Sequence, residues 1–129
     1  MPNIPSIMGL HLRYRLWIAE MNFDINVMRI LEDYLAELTP KSHEPEVKEG
    51  IERFEKDLVN GRKDVDDLRH EMHILKMKLA AYSRENKTIT DETYTADNHE
   101  AIKGRYLTFR ENFENTKKDF TGFEEKWLD

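Results

Sequence analysis

Hydrophobic side chains return every three or four positions along three long stretches of this chain. The first runs from Leu10 to Leu38 through Leu10, Tyr14, Trp17, Met21, Asp24, Met28, Leu31, Leu35 and Leu38, and only Asp24 breaks the apolar seam. Alternating steps of four and three hold one stripe of a helix toward a neighbour along its whole length. Thr39-Pro40 ends the pattern, because proline disfavours helical backbone in the residue before it. The second stretch, Glu44 to Glu85, carries Val47, Ile51, Phe54, Leu58, Gly61, Val65, Leu68, Met72, Leu75, Leu79 and Tyr82. Ser42 is its expected N-cap, and Pro45 suits the first turn, where a missing N–H costs little. Gly61 on the seam costs ~1 kcal/mol of helix propensity, which the close approach of a bulky neighbour can offset. The third stretch begins near Asp97, which has capping-box spacing to Glu100. Its seam is Ile102, Tyr106, Phe109, Phe113, Thr116, Phe120, Phe123 and Trp127, mostly aromatic.

These seams predict an all-α fold with helices over about 10–38, 44–85 and 97–127. Short connections make consecutive helices antiparallel neighbours, so the expected architecture is an up-down-up three-helix bundle with coiled-coil-like packing. The chain reads as a single domain over 1–129, with a flexible arm at 1–9 and a Thr-rich connector at 86–96.

The first helix carries more apolar surface than such a bundle needs. Beside its seam lies a second row, Leu12, Leu16, Phe23, Val27, Ile30 and Tyr34. Together the rows span roughly 240° of the wheel, against the ~100° stripe of an ordinary surface helix. Large contiguous apolar patches mark interfaces, so self-association through this row is expected, most simply as a two-fold homodimer. A helical protein partner laid beside the first helix is equally compatible, and wide wrapping by the other two helices is the bland alternative.

Three charges interrupt the apolar arc. Arg13, Glu20 and Asp24 align with Trp17 at helical spacing. A buried carboxylate needs a partner or it neutralises. A satisfied polar cluster with Thr116 donating to Asp24 is one reading, half of a carboxylate-bridged metal site is a second, and hydration through loose packing is a third. The metal reading finds weak candidates in His70 and His73, which fall on the outer face of the second helix, and in His99, which extends the third seam to a core position at the helix start.

Composition removes further options. The net charge of −6 is spread along the chain, which leaves no basic stripe for nucleic acid. There is no cysteine, hence no disulfide, thiolate nucleophile or thiolate zinc site. No apolar run approaches the ~20 residues of a membrane span. Met1 to Leu10 lacks the features of a secretory signal, and a cytoplasmic location is expected. Phosphate-loop, HExxH, GxSxG and EF-hand patterns are absent. The expected function is therefore a non-catalytic, self-associating interaction or scaffold protein without a cofactor. The alternative is a bundle that binds a metal or small ligand through inward carboxylates.

Overall fold

A computed structural model describes residues 5–127, and they are all-helical. α1 spans Ile7–Leu38, a 3-10 turn follows at Thr39–Lys41, and α2 spans Pro45–Arg84. A short α3 covers Asp91–Ala96, and α4 runs His99–Trp127. The expected helix count of three becomes four because part of the Thr-rich connector folds. Thr90 caps α3, its hydroxyl accepting from the Thr93 amide, a local device that hydrophobic periodicity does not register.

Helix ends differ from expectation for similarly local reasons. α1 starts at Ile7 rather than Leu10, because the Ser6 hydroxyl accepts from the Gly9 amide and caps it. Residues 7–9 of the expected flexible arm are thus helical, and residues 1–4 of it lie outside the described residues. Ser42 does not cap α2. Its hydroxyl donates back to the Leu38 carbonyl, and Glu44 occupies the N-cap without a side-chain bond. The Asp97–Glu100 capping box does not form. Asp97 closes α3, Asn98 takes a left-handed φ of 60°, and α4 begins at His99.

Most seam positions are buried, while Trp17, Leu31, Leu38, Tyr82 and Trp127 are half-buried against the core. On α2 the buried residues are Val47, Ile51, Phe54, Leu58, Val65, Leu68, Met72, Leu75 and Leu79, and on α4 Ile102, Tyr106, Phe109, Phe113, Phe120 and Phe123 are buried among others. On α1 the buried set is Leu10, Tyr14, Ile18, Met21, Asp24, Met28 and Leu35. Arg62 bonds Glu32 and Arg69 bonds Asn22, so numbers rise on α2 as they fall on α1. Between α2 and α4 the order is again reversed: Arg105 reaches Glu71, while Phe54 packs against Phe120 and Phe123. α1 and α4 run the same way, with Tyr14 at His99, Trp17 on Tyr106 and Tyr34 against Phe120.

Two glycines on α2 meet different neighbours. A Cβ on Gly61 would lie 3.3 Å from the terminal methyl of Met28, a flexible group. A Cβ on Gly50 would strike the ring of Phe123, itself buried between helices. Gly61→Ala should therefore be neutral or stabilising by up to ~1 kcal/mol. Gly50→Ala should cost about 1–3 kcal/mol as an overpacked contact. Chemical denaturation of both variants checks the contrast.

Candidate functional site

The polar groups of α1 meet α4 along a single line. Tyr14 and His99 are bonded at one end, Glu20 and Tyr106 in the middle, and Asp24 and Arg110 beyond them. Both helices carry a polar doublet four residues apart, Glu20 with Asp24 and Tyr106 with Arg110, and each doublet occupies one helix edge. Because the helices run the same way, the doublets face each other in register, residue 20 with 106 and residue 24 with 110.

Asp24 is the buried charge of this line, at 2% exposure, and Arg110 donates to its Oδ2 at 2.5 Å. Burial pushes the Asp24 carboxyl above the usual carboxylate range, against the pull of the neighbouring guanidinium. Glu20 is exposed and accepts from the Tyr106 phenol, whose own pKa rises through burial and through that carboxylate. Trp17 stacks on Tyr106 with ring centroids 4.6 Å apart. Arg13 is half-buried, and its guanidinium lies 5.7 Å from the Trp17 ring centroid. Thr116 is not part of this line. Its hydroxyl donates to the Asn112 carbonyl, one turn back in its own helix. Arg110 supplies what Thr116 was expected to give, and does so as a charge.

His99 lies at the far end, buried, with Nδ1 2.5 Å from the Tyr14 hydroxyl. Burial raises the Tyr14 pKa, so the phenol keeps its proton in this hydrogen bond with the imidazole. Nε2 faces Asp97 Oδ2 at 3.9 Å. Tyr82 donates to the same Asp97 oxygen, and Lys78 pairs with its other one. Tyr94 stacks on the imidazole and donates to Glu100. The α3 turn thus serves as a lid on the core end, which explains why the connector folds. Burial holds the His99 pKa below its ordinary value, with Lys78 and Arg13 reinforcing this and Asp97 opposing it.

His70 and His73 are exposed on α2. The His73 pKa is lowered by partial burial and by Lys76, Arg69 and His70. Among the described residues no three His, Asp or Glu side chains converge in metal-ligand fashion. Glu20 and Asp24 are each occupied by a donor from α4 rather than turned toward a shared space.

The second apolar row of α1 lies away from this line. Leu12, Leu16, Phe23 and Ile30 are 52%, 55%, 65% and 66% exposed. On a helical wheel they stand roughly opposite the buried Leu10, Met21 and Met28. Val27 is half-buried at the margin, and Tyr34 turns inward against Phe120. Near the start of α1 the row opens into an apolar groove lined by Ile7, Met8, Leu12, Leu79 and Ala80. No described helix is long and apolar enough to cross a membrane.

Comparison of the chain with models of known protein families, with curated proteins and with solved structures finds no match in any of the three.

Two predictions follow from the buried line. Arg110 is one-third exposed and can rehydrate if Asp24 is removed, whereas Asp24 cannot reach water if Arg110 is removed. Arg110→Met should therefore destabilise by about 3 kcal/mol or more, and Asp24→Leu by clearly less. Adding Asp24→Leu to Arg110→Met should recover most of the loss. Asp24 has a raised folded pKa, so protonation favours its folded form; the Arg110→Met penalty should shrink as pH falls toward 4. His99 has the opposite sign. Its folded pKa lies below the ordinary 6.5, so the unfolded chain takes up the proton first and stability falls as pH drops through that value. Melting curves between pH 7.5 and 5.5 should show this decline, and His99→Gln should flatten it.

Proposed function

We propose that this chain is a non-catalytic interaction protein, an up-down-up bundle of three long helices with coiled-coil-like packing, that self-associates through the outer face of α1. The observation that carries the reading is the exposure of Leu12, Leu16, Phe23 and Ile30 on one line, turned away from the core. Four large apolar side chains at helical spacing form a contiguous patch, unlike the scattered exposure of Val59, Ile74 and Met77 on α2. Burying such a patch against a like patch removes apolar surface from water at about 25 cal/mol per Å².

The polar line between α1 and α4 supports a structural role for the buried charges. Asp24, Glu20 and His99 each have a protein partner, and those contacts set the level of α4 against α1. A cytoplasmic location belongs to the same proposal, with the cysteine-free sequence compatible with a reducing compartment.

Light scattering at high micromolar concentration tests the reading. The protein should have twice the chain mass of 15.5 kDa. Leu16→Glu combined with Ile30→Glu should weaken association on the order of a hundredfold or more, since it buries unpaired carboxylates, and should leave the helical circular-dichroism signal intact. A mass of 15.5 kDa at every concentration would remove self-association.

A further inference from the structure

The outer row of α1 has an internal symmetry in its spacing. Leu12, Leu16, Ala19, Phe23, Val27, Ile30 and Tyr34 are separated by four, three, four, four, three and four residues. The series reads the same from either end, with Phe23 at its centre. On the wheel it stays within an arc of roughly 80°. From Leu12 to Tyr34 it runs about 33 Å at 1.5 Å per residue.

A two-fold axis perpendicular to a pair of antiparallel helices demands this kind of sequence, because each residue then faces the one equally far beyond the centre. We infer that α1 packs antiparallel against α1 of a second copy, with Phe23 of both copies meeting at the two-fold axis. This arrangement rests on the self-association proposed above and specifies its partner and geometry. Leu16 faces Ile30 of the other copy, Ala19 faces Val27, and Leu12 lies over the outer edge of Tyr34. The small Ala19 beside each large Phe23 lets the helices approach at the centre. Ala19 is itself exposed, as the position requires.

Charge placement fits the same geometry. Arg15 and Asp33 are eighteen residues apart, five full turns of 3.6, so they share one edge of the row. The two-fold axis keeps that edge on the same side in both copies. Arg15 of one copy then stands about 3 Å along the axis from the level of Asp33 in the other. The ion pairs within the described chain leave Arg15, Asp33 and Glu37 out, so these groups remain for a partner. A parallel pair makes no use of the palindrome. It would turn Arg15 toward Glu20, whose carboxylate already accepts from Tyr106.

Cysteine scanning tests the geometry, since the chain has no cysteine of its own. A disulfide needs Cα atoms closer than about 7 Å. On oxidation, Phe23→Cys should cross-link to itself. Leu16→Cys mixed with Ile30→Cys should form the mixed dimer, while Leu16→Cys alone should not, its copies being separated by about 21 Å along the axis. Arg15→Asp should weaken the dimer several-fold, and adding Asp33→Arg should restore it. A dimer in which Leu16→Cys cross-links to itself would be parallel and would overturn this inference while keeping the self-association. A dimer that none of these cysteines can cross-link would place the interface elsewhere and overturn both. A monomer by light scattering would remove the self-association itself.

Discussion

A helix that is apolar on two opposite faces cannot be satisfied by neighbours on one side. α1 is such a helix. Leu10, Met21 and Met28 are buried against the other helices, while Leu16, Phe23 and Ile30 stand more than half exposed on the reverse face. α2 and α4 each present one apolar seam, and both seams are used up in the core. The excess on α1 is therefore a property of the folded chain and cannot be absorbed by rearranging it. Sealing the inner face leaves the outer one in water, and the functional reading follows from that surplus.

The core tolerates charge because its two buried polar residues, Asp24 and His99, each have a partner. Asp24 is held by Arg110, whose outer end reaches solvent, so one charge of the pair stays hydrated. His99 lies between Tyr14 and Asp97, with Tyr94 of α3 stacked on its ring. Such pairs contribute little net stability, since desolvation offsets most of the attraction. Their effect is on register. Contacts from Glu20 to Tyr106 and from Asp24 to Arg110 can be made together at one relative height of α1 and α4, whereas an aromatic seam alone tolerates sliding.

Much of this was legible in the sequence. Phe54, Leu68, Phe113 and Phe120 announce the core through spacing, and all four are buried. Extending the α4 seam backward places His99 at the core end, and it is buried there. The outer row of α1 could be read from the wheel, except that Tyr34 faces inward, because a residue at the margin of an arc is decided by the neighbouring helix. Ile18 is buried for the same reason, although it lies beside the seam rather than on it. α3 leaves no signature in the pattern, because six residues are too few for a period to show. Arg110 escaped because a partner across helices depends on their relative height, which the loops fix and the pattern does not. One signal was present: the matching four-residue spacings of Glu20 with Asp24 and of Tyr106 with Arg110 point to facing doublets.

The central claim is that the outer face of α1 is covered by another molecule of the same chain. Hydroxyl-radical footprinting of the unmodified protein reads that covering directly, with exposed Met77 on α2 as an internal reference at 71% exposure. On going from dilute to concentrated solution, oxidation of Phe23 and Ile30 should fall several-fold while that of Met77 stays constant. Equal labelling of Phe23 at every concentration would mean that this face stays in water, and would contradict the account.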